Sequence, residues 1–300
     1  MKTVTSKDGT AIAYDQAGNG PLLVLVDGAL NSRAFGLNGP LAAVLADRFT
    51  VITYDRRGRG GSGDTPPYAV QREIEDLAAI IDAAGGQACV YGISSGDGLA
   101  LEAACAVHAK VAKLALYEPP FVVDNSRPPV PADAVQQVTG LLARGRRGAA
   151  VKLFLREDAQ VPAMGVALMP LMPAWGKLKA LAHTLPYDLT IMAGGQQGRP
   201  LPAGRWAALT APALVMAGAR APHGCRTPRR TSPTPCPAPA TGPCPPDPHR
   251  QSKTPRPGPG RLLHPHPQQP VRQHQRYRVM TGERAGIWEA PLLDGRRRTE

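Results

Sequence analysis

Short strand-like runs alternate with helix-like segments along residues 11–217, and this alternation limits the chain to few folds. Leu22–Val26 is a continuous apolar run, and residues 49–54 are rich in β-branched and aromatic side chains. Between later runs, residues 68–84 place apolar side chains on one helical face. Strands that follow one another through helices pair in parallel. The sequence therefore predicts an α/β fold, a mostly parallel sheet with helices on both faces.

Further segments of the same two kinds continue the pattern. Strands are predicted at 11–14, 89–91, 111–117 and 213–217, and helices at 41–45 and 99–107. Residues 120–206 differ, because their prolines and a Met/Leu/Ala-rich run indicate helices and loops rather than strands. We interpret them as an insertion, and residues 213–217 as the last segment with strand character.

The composition changes abruptly at Pro222. Residues 222–300 hold 17 of the 33 prolines and 14 of the 35 Lys and Arg residues, and residues 222–261 contain no Val, Ile, Leu, Met, Phe, Tyr or Trp. Such a segment cannot bury a core, so we expect disorder there. A shifted reading frame in a GC-rich gene produces this composition, and we hypothesise a frameshift. A basic disordered arm and a proline-rich ligand for a partner domain are the alternatives.

Four parts follow from these observations: 1–119 as the N-terminal part of the core, 120–206 as a lid or cap insertion, 207–221 as a core strand, and 222–300 as a Pro/Arg-rich tail. With the C-terminal part incomplete, strand 213–217 would be an exposed edge. The net charge of +12 lies mainly in the tail. Because aromatic residues hardly interleave with its cations, nucleic acid is not the expected partner. The oligomeric state is left open.

Targeting signals and cofactor motifs are not found. The N-terminus lacks an apolar signal segment, and Leu22–Val26 is too short to span a bilayer, so we expect a cytoplasmic protein without a membrane partner. The five cysteines form no Cys-x-x-Cys pair, and no dinucleotide-binding glycine fingerprint opens a helix. We therefore expect no metal and no organic cofactor.

The strongest chemical signal is the pattern Gly-x-Ser-x-Gly at residues 92–96, between a predicted strand and a predicted helix. Gly92 and Gly96 suit a sharp strand-to-helix turn that leaves no room for a Cβ atom. Such a turn, a nucleophile elbow, exposes Ser94 at the carboxyl end of the sheet. The N–H group of Ser95 then lies at a helix N-terminus, where it can stabilise an oxyanion.

Two further segments complete a resemblance to the α/β-hydrolase superfamily, close to its bacterial esterases and its dehalogenase-like and lactonase-like members. Residues 55–62 match the D-x-R-G-x-G-x-S loop of that family, and residues 25–29 resemble its strand followed by His-Gly-x, with Asp27 in place of the His. The resemblance covers residues 3–221. It implies that Ala29 supplies the second oxyanion N–H, and that residues 120–206 form a lid shaping the pocket for a small ester-like substrate.

The resemblance also implies an acid and a base beside Ser94. Ala221 stands where many members carry the acid, so Glu118, after the preceding strand, becomes the acid candidate; a plain strand-end glutamate is the alternative. The segment that should carry the base His has no counterpart in the tail. Of the seven histidines, His108 and His183 lie in the body and suit solvated or packing roles, so the base is not identified.

The sequence thus predicts a serine hydrolase acting on carboxylic esters or lactones through Ser94. The competing interpretation is a non-catalytic, hydrolase-like protein that lost its base and uses the basic tail for interactions.

Overall fold

A computed structural model describes residues 1–202, 204–217, 277–281 and 284–288. All of them belong to one of two compact units, formed by residues 1–227 and 275–300. The second unit, residues 228–274, lies outside the described residues. None of the helices in the described part of the chain combines the length and apolar character needed to cross a membrane.

One sheet organises the molecule, and the described residues contribute nine strands to it. The strands are β1 (Lys2–Thr5), β2 (Ala11–Ala17), β3 (Leu22–Val26), β4 (Thr50–Tyr54), β5 (Ala88–Ile93), β6 (Val111–Tyr117), β7 (Ala213–Met216), β8 (Tyr277–Thr281) and β9 (Arg284–Trp288). Their order is β1-β2-β4-β3-β5-β6-β7-β8-β9. The pairs from β4 through β3, β5, β6 and β7 to β8 are parallel, and the pairs β1–β2, β2–β4 and β8–β9 are antiparallel. The predicted α/β class is confirmed.

Helices cover the sheet and close the main core. The first three are α1 (Asn38–Leu45), α2 (Val70–Ala83) and α3 (Ser95–Ala106). Helix α2 buries Ile74, Leu77 and Ile81, the apolar stripe that the sequence predicted. Helix α3 carries small buried residues, which allow it to lie close to β5. Because β3, β5 and β6 pair in parallel, their carboxyl ends meet at one edge of the sheet.

The segment between β6 and β7 forms five α-helices among the described residues: α4 (Ala134–Ala143), α5 (Arg147–Glu157), α6 (Ala163–Leu168), α7 (Trp175–Leu181) and α8 (Leu185–Ile191). Their apolar faces build a second buried cluster that includes Val151, Phe154 and Leu185. Leu30, from the loop after β3, is buried in the same cluster. We call this layer, residues 120–206, the cap.

The C-terminal part corrects one expectation. We expected 213–217 to be the last strand and an exposed edge, but β7 pairs with β8 in parallel and β8 pairs with β9. Residues 277–281 and 284–288 contain Val, Ile, Tyr and Trp, which suit strands and which residues 222–261 lack. The expected disorder of 222–261 concerns residues outside the described ones.

Candidate active site

Ser94 lies at the turn between β5 and α3. Its backbone has φ 56° and ψ −126°, a conformation that is costly for a residue with a Cβ atom. Ser94 is partly exposed, whereas the other residues from 92 to 98 are buried. The turn therefore presents one hydroxyl group at the carboxyl edge of the sheet.

The two glycines of the motif are needed because backbone segments touch at this turn. A Cβ atom on Gly92 would lie 2.7 Å from Gly96 O and 2.8 Å from Asp97 Cα. A Cβ atom on Gly96 would lie 2.5 Å from Val26 O and 2.8 Å from Asp27 O. Since these neighbours are mostly backbone atoms, no side-chain rotation can make room. The structure thus has the close approach that the sequence pattern predicted for an elbow.

The loop after β3 lies against the elbow. A Cβ atom on Gly28 would come within 3.1 Å of Ser94 Cβ and 3.6 Å of its Oγ, so the Gly28 backbone runs directly beside the serine. Ala29 follows and is partly exposed, between buried Gly28 and Leu30. Ser95 is the first residue of α3, where backbone N–H groups lack helical partners. Both predicted oxyanion donors therefore lie on segments that adjoin Ser94.

Glu118 lies directly after β6, the strand beside β5. Its N–H donates to Met216 O at 2.9 Å, and the neighbouring Tyr117 O accepts the N–H of Ser94 at 3.1 Å. Like Ser94, Glu118 has a positive φ, 55°. The structure thus brings the acid candidate to the strand end next to the serine.

Asp97 connects the turn at Ser94 to strand β6 through a hydrogen bond. This residue is completely buried, and its Oδ1 accepts the N–H of Tyr117 at 3.1 Å. Burial raises the pKa of the Asp97 carboxyl well above its usual value, and the charge of Glu118 adds to that effect. No local sequence pattern indicates this contact with β6, because it depends on the packing of α3.

Neither body histidine serves as a base in this geometry. Both ring nitrogens of His183 are engaged, at 2.9 Å from Ala180 O and 2.8 Å from Gly58 O. His108 lies in a short 3-10 helix after the far end of α3. Within the described ranges, Ser94 Oγ makes no hydrogen bond to a histidine. The other five histidines belong to residues 222–276, outside the described residues.

Asp27 is an unusual carboxyl group behind the serine. The residue is 2% exposed, and its Oδ1 has no hydrogen-bond partner among the described residues. Burial raises its pKa to about 7, although the charges of Arg59 and Arg56 oppose this shift. Between about pH 4 and pH 7, Asp27 is therefore largely protonated, whereas ordinary aspartates are ionised.

The loop of residues 55–62 is buried beside this site, with its arginines pointing inward. Arg56, Arg57 and Arg59 are each 1% exposed. Arg57 binds Asp76 through two hydrogen bonds of 2.8 and 2.7 Å, and it binds Asp8 at 2.9 Å. The sequence identified this loop by its resemblance, but it did not indicate what the arginines bind.

Asp188 in α8 was not among the predicted site residues. Its carboxylate binds Arg56, Arg59 and Ser95, which are all remote from it in sequence. Burial opposes ionisation of Asp188, but the charges of Arg59 and Arg56, together with the hydrogen bonds from Ser95 and Arg56, lower its pKa. Asp188 lies in the segment with the least regular sequence pattern, so no periodicity marked it. Among the described residues, no group of three or more His, Cys, Asp or Glu side chains is arranged to hold a metal ion.

Solved structures share this architecture. An alpha/beta hydrolase from Sphaerobacter thermophilus DSM 20745 is 54% identical, with a TM-score of 0.69, and the match covers 75% of this chain and 84% of that one. An esterase from Thermogutta terrifontis is 23% identical, with a TM-score of 0.54 and coverage of 72% and 79%. An enol-lactonase from Burkholderia xenovorans LB400 is 21% identical, with a TM-score of 0.52 and coverage of 72% and 81%. The last two likenesses show the fold alone.

A family model agrees with these structures. The model described as "Alpha/beta hydrolase family" matches residues 18–273, which is most of the chain. The matched range contains the loop after β3, the buried arginine loop and the elbow. On this evidence, the chain belongs to the alpha/beta hydrolase family.

Proposed function

We propose that this protein hydrolyses carboxylic esters or lactones through an acyl-enzyme on Ser94. The observation that carries the proposal is the strained backbone of Ser94. This residue lies between Gly92 and Gly96, where an added Cβ atom would collide with backbone atoms. A cost of about 1–3 kcal/mol for such a backbone is tolerated where it serves a site. The likeness to a named esterase and a named lactonase is one of fold, so the choice of reaction rests on the site.

In the proposed reaction, Ser94 Oγ bonds to the carbonyl carbon of the substrate while its proton passes to a base. The bond from that carbon to the alcohol oxygen breaks, and the alcohol leaves with a proton. Water then attacks the acyl-enzyme, releases the acid and restores the hydroxyl group. The N–H groups of Ala29 and Ser95 stabilise the oxyanion in both steps. Glu118 is the proposed acid, and the base remains to be assigned.

Strained residues cluster around this proposed centre. Four non-glycine residues of the described part have a positive φ, and three of them follow the ends of β3, β5 and β6: Leu30, Ser94 and Glu118. Each of the three belongs to or adjoins a segment with a role in the proposed reaction. This coincidence supports a site at that edge, because backbone strain concentrates at functional positions.

The cap is proposed to shape the substrate pocket. Ala29 packs against the buried cluster of the cap, as does Phe35. The cap therefore contacts the loop that supplies an oxyanion donor, so a change in cap packing would alter the position of the reacting carbonyl group.

The proposal also includes the four-part division of the chain and a cytoplasmic location.

A second candidate function is a non-catalytic, hydrolase-like protein. The engagement of both nitrogens of His183, and the absence of a histidine contact to Ser94 within the described residues, favour it. In that case the site would lack a base, and the basic tail would serve interactions.

Hydrolysis assays on the full chain separate the two functions. We expect turnover of p-nitrophenyl acetate or a small lactone, and a loss of at least about a thousandfold in kcat for Ser94→Ala. Ser126→Ala, which changes an exposed serine of the cap, is the matched control and should leave kcat unchanged. Turnover that survives in Ser94→Ala would remove Ser94 from the reaction, and a wild-type chain without turnover would favour the second function.

A further inference from the structure

A buried ionic cluster lies behind the two predicted oxyanion donors. Its centre is Asp188 of α8, which is 1% exposed. Oδ1 of Asp188 accepts from Arg56 Nη1 at 2.6 Å and from Ser95 Oγ at 2.8 Å, and Oδ2 accepts from Arg59 Nη2 at 2.6 Å. One carboxylate of the cap thus binds three groups of the core. Because charge-assisted hydrogen bonds are the stronger class, this contact holds its partners tightly.

The two arginines carry this contact to the loop after β3. Arg59 Nη1 donates to Gly28 O at 2.6 Å, and Arg56 Nη1 donates to Asp27 O at 3.2 Å. A trans peptide bond holds its C=O and N–H in opposite directions within one plane. The bond from Arg59 to Gly28 O therefore also sets the direction of the Ala29 N–H, which faces away from the arginine.

The same carboxylate reaches the second donor. Ser95 is buried and binds Asp188 through its hydroxyl group, which fixes the first residue of α3 relative to the arginines. The distance between the N–H groups of Ala29 and Ser95 thus depends on one shared anchor. An oxyanion site needs this distance held to about 0.5 Å, since preorganised donors provide the stabilisation.

The charges explain why an acid is required at this position. Arg56 has a second partner, because Glu73 binds it through two hydrogen bonds of 2.7 Å. For Arg59, Asp188 is the carboxylate that forms its ion pair within the described part of the chain. Without the charge of Asp188, the buried guanidinium of Arg59 would lack its ion-pair partner. Its position would then be less fixed, and its hydrogen bond to Gly28 O would weaken.

We infer that Asp188 is a positioning residue that sets the two oxyanion N–H groups of Ala29 and Ser95 through Arg59 and Ser95. This inference rests on the proposed function for its catalytic consequence. It assigns to the cap a direct part in the chemistry of the core, beyond covering the substrate. The N–H groups that Asp188 positions stabilise the transition state rather than the bound substrate. Loss of Asp188 should therefore lower kcat and leave KM nearly unchanged.

The test compares Asp188→Asn with Asp158→Asn in the full chain. Asp158 is another buried cap aspartate, 7% exposed, whose side chain binds Gln196 and not the site loops. We expect Asp188→Asn to lower kcat about 10- to 100-fold with less than a threefold change in KM, and to weaken binding of an aryl boronic acid by a similar factor. Asp158→Asn should change neither quantity. Hydrogen exchange of the peptide containing residues 26–31 should also accelerate in Asp188→Asn alone.

The outcomes are decisive in each case. Unchanged kcat and boronate affinity in a folded Asp188→Asn protein would overturn the inference, as would a rise in KM with kcat unchanged. If that variant does not fold, Ser95→Ala decides, because it removes one bond to Asp188 and keeps both ion pairs; we expect a three- to tenfold loss of kcat, and no loss overturns the inference. If the wild-type chain shows no turnover, the proposed function fails, and the exchange of residues 26–31 alone tests the anchor.

Discussion

Replacing Gly96 with alanine should test how closely helix and strand must approach at the elbow. The added Cβ atom would lie 2.5 Å from Val26 O and 2.8 Å from Asp27 O. Cβ contacts below 3.0 Å are essentially never seen, so α3 and β3 must separate by about 0.5 Å. Both neighbours are backbone atoms, one at the end of β3 and one in the loop directly after it, so the interior offers no cheaper adjustment.

The magnitude follows from this displacement. Overpacking of a tight interior costs about 1–3 kcal/mol in the free energy of unfolding. The separation also moves Ser94 and Ser95 away from the loop that carries Ala29. Since a misplacement of about 1 Å can cost about a hundredfold in rate, half of it should lower kcat about tenfold or more.

Two further glycines provide a matched series. Gly176 in α7 has open space around its Cβ position, so Gly176→Ala should keep kcat and raise helix stability by up to about 1 kcal/mol. Gly98 faces side chains instead of backbone, with Met192 Sδ at 2.7 Å and Ile191 Cγ2 at 2.9 Å. Because these side chains can move, Gly98→Ala should fall between the other two variants.

The assay is urea unfolding together with kcat for p-nitrophenyl acetate, measured for all three variants. The expected order of damage is Gly96→Ala, then Gly98→Ala, then Gly176→Ala. A Gly96→Ala protein with wild-type unfolding free energy and wild-type kcat would show that the close approach does not set the site.

Two other perturbations address buried charges. The raised pKa of Asp27, about 7 against its usual 3.8, means that unfolding releases a proton between these values, so stability should fall as the pH rises from about 4 to 7. Asp27→Asn should remove this part of the slope, up to about 1.4 kcal/mol per pH unit, and unfolding curves with unchanged slope would contradict the assignment. Arg57→Ala should cost about 3–5 kcal/mol, because it leaves the buried carboxylate of Asp76 without its partner. Asp82→Asn, which breaks a partly exposed pair with Lys110, should cost at most about 1 kcal/mol, and equal losses in the two variants would count against the role of burial.

The sequence predicted the core elements well where burial leaves a simple pattern. The bounds of β3 and β6 match the predicted runs, because β3 is apolar throughout and β6 is apolar except for Lys113. Strand β1 was missed, since Lys2–Thr5 lies at the polar edge of the sheet and carries no apolar run. Strands β8 and β9 were not predicted, because their few apolar residues follow a long proline-rich segment that has no strand pattern.

The candidate site divides in the same way. Ser94 and its glycines could be found because a tight turn leaves a local sequence pattern. Asp188 could not, because it binds residues 93 to 132 positions away and no local rule selects its partners. The Asp27 carboxyl oxygen that lacks a hydrogen-bond partner among the described residues was equally hidden, since burial depends on the packing of several loops.

Covalent labelling of Ser94 tests the central claim most directly. The full chain and its Ser94→Ala variant would be treated with a fluorophosphonate probe, followed by intact-mass measurement and peptide mapping. An activated hydroxyl group in the elbow predicts one probe per chain on Ser94, and none on Ser94→Ala or on denatured protein. A native chain that stays unlabelled, or that carries the probe on another residue, would contradict the claim that Ser94 is the nucleophile of a hydrolase.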